Sequence, residues 1–402
     1  MVLNKTNQTV FSELIAALSL MMDLDENNKL YHAWRVAAMA AKMAERFLPE
    51  EKRNIFYAGL LHDIGGIALP DHIIHYRDLE EQFENPIIKT HPQKGAYIIR
   101  QIPSLAKSSE MVMDHHEMWD GSGYPQNKKG SEISVGGQIL RIADTFDLVS
   151  RDLKKPTISE VSSILRNKIG SEFSREIYFM WKKTVYEEGF FNMIRRNDTL
   201  PQLVNSIIET LPETEVEIGS DVFETIVKVF AEVVDAKHTY TAGHSRRVAE
   251  YSSKIAEAVG LSEGQVKAIK YAGYLHDAGK VAIPRRILDK KQRLSENEFE
   301  LIKKHPVYTM EILSLISQLN GLITIAGYHH ERYDGLGYPN GLRGDRIPLG
   351  ARIMAIADAY DAMTSLRPYQ EIRSPDEAKE VLLKNAGSQF DPKLVEPACD
   401  VL

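Results

Sequence analysis

The 402-residue sequence predicts an all-α protein made of two tandem helical bundles. Three observations predict it. Apolar residues recur with the 3.6-residue period of helices along most of the chain, strand signals are nearly absent, and one offset of 214 residues carries four separate groups of His and Asp from the first half onto the second.

The repeat comes first because it sets the domain plan. His62-Asp63, His91, His115-His116 and Asp144 fall on His276-Asp277, His305, His329-His330 and Asp358, and Gly123-Tyr124-Pro125 falls on Gly337-Tyr338-Pro339. Upstream the offset is 212, placing residues 32–36 on 244–248 and 11–23 on 223–235. Downstream it is 217, aligning 170–173 with 387–390. Ten of the 13 histidines are matched in this way, leaving His72, His75 and His238 outside the scheme. The expected division is a first domain over 1–205, a linker over 206–220 and a second domain over 221–402. The acidic stretch 211–221, with its Pro and Gly, reads as the connection, and Ser220 or Asp221 as the cap of the next helix.

In the second half, Phe223, Ile226, Val227, Phe230, Val233 and Val234 form one apolar stripe, so a helix is expected over 223–234. Residues 248–259 continue the period, and 267–275 lead into His276-Asp277. Ser295-Glu296-Asn297-Glu298 has the form of a capping box, predicting a helix that runs past His305 to about residue 313. Residues 322–330 are expected to carry the His pair on their last turn, and 350–363 to carry Asp358. Between these lies 334–341, dense in turn formers and read as a loop beside the pair.

The chemistry centres on His276-Asp277, with Lys280 four positions beyond the histidine. A single dyad in a chain with 13 histidines is weak evidence. Its partners strengthen it: His244 lies 32 residues earlier, His305 29 later, His329-His330 53 and 54 later, and Asp358 82 later. Five histidines and two aspartates suit two divalent ions that share a carboxylate and keep positions open for water and substrate. The only cysteine, Cys399, excludes an intramolecular disulfide or a cysteine-rich zinc site and fits a reducing compartment.

Lys and Arg number 49 against 56 Asp and Glu, a net charge of −7, so nothing draws a nucleic-acid polymer globally. An anionic ligand has to be drawn locally by metals and a few cations, which favours a small phosphorylated molecule. No apolar run approaches a membrane span and the N-terminus lacks a secretion pattern, so a soluble cytoplasmic protein without membrane partners is expected.

These residues resemble the HD-GYP family of HD metal-dependent phosphohydrolases. The resemblance rests on His244, His276-Asp277-Ala278-Gly279-Lys280, His305-Pro306, His329-His330-Glu331, Gly337-Tyr338-Pro339, Asp358 and Arg367-Pro368-Tyr369. It implies two HD-domain helical bundles and hydrolysis of a cyclic dinucleotide, cyclic di-GMP or 3'3'-cyclic GMP-AMP, to a linear dinucleotide. It also implies two divalent metal ions, iron or manganese. By that analogy one ion takes His244, His276, Asp277 and Asp358, and the other takes His305, His329, His330 and the shared Asp277. Lys280 and Arg367 are implied to bind substrate phosphate, and Asp277 and Lys280 to act in catalysis. Tyr240 stands where some members place a Glu for a third ion, so two are expected. Gln370 replaces a basic residue often found there. The Gly-Tyr-Pro loop is either a plain turn or a docking surface for a protein partner.

The first copy keeps His32, His62, Asp63, His91, His115, His116 and Asp144 as a possible vestigial metal site. Gly66 replaces Lys280, and the segment after Asp144 is three residues shorter and lacks an Arg-Pro-Tyr element. The expectation is a silent or feeble first copy with a regulatory or packing role. Two alternatives remain for the whole chain. One is an HD-type nucleotidase acting on mononucleotides, separable by a substrate panel. The other is a non-catalytic nucleotide-binding scaffold, whose effect would survive replacement of His276 and Asp277.

Overall fold

The computed structural model describes residues 7–25, 28–29, 31–68, 85–212, 220–236, 243–316, 319–365 and 372–402. His72, His75, His238, Tyr240, Arg367 and Gln370 lie outside them, as do the side chains of Ser220 and Asp221. Among the described residues no strand exceeds two residues, as expected of an all-α chain. The chain separates into two compact units that meet in sequence at Val222 and Phe223. The expected linker 206–220 starts inside a helix. Leu200–Glu209 buries Leu203, Val204, Ile207 and Ile208, so its last turn belongs to the first bundle.

The second unit is organised around the helix His244–Ala258. Its buried stripe, Val248, Ala249, Ser252, Ile255 and Ala256, packs against Glu263–Leu275 and Leu349–Thr364. Gly273 permits the first of these contacts, since a Cβ there would lie 2.6 Å from Ala249 Cα. This close approach brings the end of one helix, at His276, beside the start of the other, at His244. A second close approach follows at Gly279, where a Cβ would lie 2.1 Å from the His305 carbonyl oxygen. There the short helix Ala278–Ala282 packs on His305–Ser314, and Thr309 ties the two together. Its Oγ1 donates to the His276 carbonyl at 2.9 Å and accepts from Gly279 N at 2.9 Å.

Two elements differ from the sequence reading. The capping box at Ser295 forms, but the helix it starts ends at Ile302, and a new one begins at His305. Pro306 is the reason: inside a continuous helix it would remove a hydrogen bond and clash with the preceding turn, whereas in a first turn it costs nothing. Likewise the helix Asn320–Gly327 ends before the His pair, which occupies the turn that follows.

The first unit repeats this plan with Asn7–Met22, His32–Phe47, Lys52–Leu61, His91–Arg100, Ala106–Asp114 and Val135–Asp152. Trp181, Phe146, Tyr57 and Phe11 are fully buried in it. Each such side chain contributes about 1.5–3 kcal/mol of burial against the entropy of ordering. No described helix in either unit is long and apolar enough to cross a membrane.

Candidate metal centre

In the second unit the predicted ligands converge. His276, His305 and His329 each stand at a helix terminus or in the turn beyond it, where a carbonyl three residues earlier has no helical partner. Each ring donates from Nδ1 to that carbonyl: His276 to Gly273 at 2.7 Å, His305 to Ile302 at 2.7 Å and His329 to Ala326 at 2.6 Å. His244 donates from Nδ1 to Asp361 Oδ2 at 2.7 Å. The acceptors set the tautomer, so in the neutral rings every Nε2 carries a lone pair directed inward.

Those four Nε2 atoms are buried and none has a hydrogen-bond partner, and the same holds for Asp277 Oδ1. Leaving a buried polar atom unsatisfied costs about 1–3 kcal/mol, so such a concentration marks a place built for a cation. Asp277 lies between two histidine sets. Its Oδ2 is 3.5 Å from His244 Nε2 and 3.3 Å from His276 Nε2, while its Oδ1 is 3.3 Å from His305 Nε2 and 3.9 Å from His329 Nε2. Asp358 Oδ1 joins the first set, 3.4 Å from His244 Nε2, and His330 joins the second with His305 and His329. One carboxylate with an oxygen facing each set has the form of a bridge between two ions. Nitrogen and carboxylate donors without sulfur suit a divalent first-row metal.

Electrostatics agree. Burial, with the neighbouring rings His276 and His305, pushes His329 down to about 3, and burial also depresses His305 and His330, so these rings stay neutral and able to ligate. Burial pushes His244 down too, but the carboxylates of Asp277, Asp361 and Asp358 outweigh it and raise the ring to about 9. Burial would raise Asp277, yet His276, Lys280 and His244 hold it well below the usual carboxylate range. Lys280 reaches Asp277 Oδ2 at 2.5 Å. Arg367 falls outside the described residues.

Sequence reasoning missed several residues that orient these ligands. Arg247 clamps Asp361 behind His244, with Arg247 Nη2 donating to Asp361 Oδ2 at 3.1 Å. The repeat carried the signal, because Asp147 precedes Asp361 by 214 residues and Arg35 precedes Arg247 by 212. In the Gly-Tyr-Pro loop, the Tyr338 ring lies 4.8 Å from the His330 ring, and the Glu331 carboxylate accepts from Asn340 N at 2.7 Å and Leu342 N at 2.9 Å. The loop therefore buttresses His330, a candidate ligand. A cleft of about 730 Å³ lined by Lys228, Asp235, Gly243, Arg246, Lys270 and Tyr274 borders the start of the His244 helix, and none of the seven ligand residues lines it.

The first unit brings its seven residues together in the same pattern. Nδ1 of His32 donates to Asp147, and Nδ1 of His62, His91 and His115 to the carbonyls of Gly59, Ile88 and Val112. His32 Nε2 then faces His62 Nε2 at 3.2 Å, and His91 Nε2 faces His115 Nε2 at 3.2 Å. At that separation either one ring of the pair carries a proton or the two share a cation. Asp63 Oδ2 lies 3.3 Å from His62 Nε2 and Asp63 Oδ1 lies 3.5 Å from His91 Nε2, again a bridging position.

A helical bundle that gathers histidines and a shared aspartate around room for two ions defines a class of His/Asp metal-site proteins. The HD domain profile matches residues 9–177 and 228–394, and the chain belongs to the HD domain family. It is 31% identical over 313 residues to the 3'3'-cGAMP-specific phosphodiesterase 3 of Vibrio cholerae, covering 77% of this chain and 66% of that protein. It is 37% identical over 270 residues to the cyclic di-GMP phosphodiesterase response regulator RpfG of Xanthomonas campestris, covering 63% of this chain and 71% of that protein. Among solved structures it resembles a cyclic GMP-AMP specific phosphodiesterase from V. cholerae, V-cGAP3, with a TM-score of 0.68, 25% identity and 97% of each chain covered.

Proposed function

We propose that this chain is a metal-dependent phosphodiesterase that opens a cyclic dinucleotide to a linear one, with its hydrolytic centre in the second unit. The observation that carries this reading is Asp277, whose two oxygens face two separate histidine sets. His244, His276 and Asp358 with Asp277 Oδ2 would hold one divalent ion, iron or manganese, and His305, His329 and His330 with Asp277 Oδ1 the other. Two such ions supply Lewis acidity toward a phosphodiester and its attacking water.

The protein's own groups do the rest. Asp361 and Arg247 fix the tautomer and orientation of His244, and Tyr338 and Glu331 hold His330 and its loop. Lys280 balances the charge of Asp277 in the free chain and, with the ions in place, stands ready to meet a phosphoryl oxygen, as would Arg367. Burial of the ligands keeps bulk water from competing for the ions. The similarity to phosphodiesterases of 3'3'-cyclic GMP-AMP and of cyclic di-GMP supports both as substrates, with 3'3'-cyclic GMP-AMP first to be tried. The first unit, lacking a lysine at Gly66, serves a regulatory or packing role. A protein partner at the Gly-Tyr-Pro loop would meet Leu336, which is 79% exposed.

The test is a substrate panel on the purified chain with manganese or iron(II): both cyclic dinucleotides, a linear dinucleotide and mononucleotides, with products separated by chromatography. The reading expects cleavage of at least one cyclic dinucleotide that stops when a chelator is added. Cleavage confined to mononucleotides would replace it with the nucleotidase alternative.

A further inference from the structure

The two units share their ligands but differ at one buried pair behind them. On the helix Val135–Asp152, Arg141 is 2% exposed, and its Nε and Nη2 donate to Glu172 Oε2 at 3.3 and 3.0 Å. Its Nη1 lies 3.2 Å from His116 Nδ1 and 3.7 Å from Asp144 Oδ2. Thr145 Oγ1 closes the network, 3.2 Å from Glu172 Oε2. By the repeat, the second unit carries Ala355, Gln389 and Ala359 at these three places. The match is structural as well. Trp119 N and Asp120 N donate to the carbonyls of Glu172 and Ser171, as Tyr333 N and Asp334 N do to those of Gln389 and Ser388.

The guanidinium has two consequences. Arginine only donates, so a neutral His116 that accepts at Nδ1 must carry its proton on Nε2 and has no lone pair left for a metal. If His116 instead ligated through Nε2, its Nδ1–H would point at an N–H of Arg141; either way Arg141 opposes ligation. The network is also more deeply buried than its counterpart. Arg141, His116, Asp144, Thr145 and Glu172 are all buried, whereas Ala355, His330, Asp358, Ala359 and Gln389 are all partly exposed.

We infer that Arg141, locked by Glu172, withdraws His116 from the ligand set, so that the first unit retains a single divalent ion. That ion is held by His32, His62, Asp63 Oδ2 and Asp144 Oδ1, the oxygen that lies 3.4 Å from His32 Nε2 while Asp144 Oδ2 faces Arg141. The opposite position keeps only His91, His115 and Asp63 Oδ1, and it faces a permanent positive charge. This rests on the proposed metal-binding reading. It gives the silent or feeble first unit expected from the sequence a cause other than the missing lysine, since a clamp on a phosphodiester needs both ions.

The test counts metal. The wild-type chain is loaded with manganese, passed through a desalting column and measured by inductively coupled plasma mass spectrometry. About three ions per chain are expected, two from the second unit and one from the first. About four would overturn the inference while leaving the proposed function standing, and none would overturn both. In a chain carrying H276A and D277A, which empties the second unit, about one ion should remain. Adding R141A and E172Q, which imports the second unit's own pair, should raise it to about two. An unchanged count would contradict the role of Arg141. If that quadruple variant does not fold, the wild-type count still decides, as does the reciprocal A355R/Q389E chain, which is expected to lose one of the second unit's ions and overturns the inference if it keeps both.

Discussion

Asp277 combines burial, an ionised carboxylate and contact with two histidine sets, and few other residues tolerate that combination. Replacing it with Asn keeps the shape and removes the charge. Asp277→Asn is expected to abolish retention of both second-unit ions and to lower turnover by at least about 100-fold while the circular dichroism spectrum stays unchanged. Asp361 acts one step further back. Asp361→Asn is expected to weaken ion affinity about 10–100-fold, measured by competition with a chromophoric chelator, because Asn has one acceptor oxygen where His244 and Arg247 each need one, and its NH2 faces the other donor. pH enters through the same histidine. His244 titrates at about 9 in the free chain, so below that pH an incoming ion must displace a proton. Affinity for manganese should therefore rise by up to about tenfold per pH unit between about pH 6.5 and about pH 8.5, and flatten above about pH 9. A flat profile across that range would show that His244 does not ligate. The candidate ligands that the structure brings together were legible in the sequence because the repeat doubles each of them. Asp361 was missed although the repeat doubles it too, since a carboxylate one helical turn beyond Asp358 looks like any solvated helix residue until its partner Arg247 is seen.

At the scale of elements, the centre depends on helix ends meeting at short range. Gly279 is the tightest junction. Gly279→Ala places a methyl group 2.1 Å from a backbone oxygen of the helix that starts at His305, and backbone cannot step aside cheaply. The expected result is a loss of about 1–3 kcal/mol in chemical denaturation together with weaker ion binding, since His305 moves with its helix. Gly321, which has nothing near its Cβ direction, is the control for helix propensity alone. In the second half periodicity located the helices that bring up the candidate ligands but placed neither Pro375–Lys384 nor Pro392–Val401, and it failed where two helices are joined with little gap. The apolar spacing runs on across Lys303 and Lys304, and only Pro306, read as a first-turn residue, reveals the break. The His329-His330 pair was placed on a helix for a similar reason. Its neighbours are apolar at helical spacing, but the helix ends at Gly327 so that both rings can turn inward.

For the whole molecule, the proposed ions would contribute to stability in each unit separately, because the repeat gives each unit its own cluster. Stripping the chain with a chelator should lower its unfolding temperature. An ion at about 100 times its Kd adds about 2.7 kcal/mol, and for a unit of this size each kcal/mol shifts the midpoint by about 2–4 °C. A drop of about 5–10 °C in differential scanning calorimetry is the expected outcome, reversed by manganese, and no shift would mean that the clusters hold no ion. The domain plan was legible because two copies constrain each other. What separates the copies was not, because Arg141 and Ala355, or Glu172 and Gln389, read as ordinary drift between repeats. Only when Arg141 is seen against His116, held there by Glu172, does the difference acquire a chemical meaning.

The central claim is that a phosphodiester is cleaved at the ions bridged by Asp277. The most direct measurement is turnover of 3'3'-cyclic GMP-AMP and of cyclic di-GMP by the metal-loaded wild-type chain beside the Asp277→Asn chain, with products resolved by chromatography. The account predicts a linear dinucleotide from the first and none from the second. Equal turnover by the two chains, or no turnover of either substrate by a wild-type chain shown to carry its ions, would contradict it.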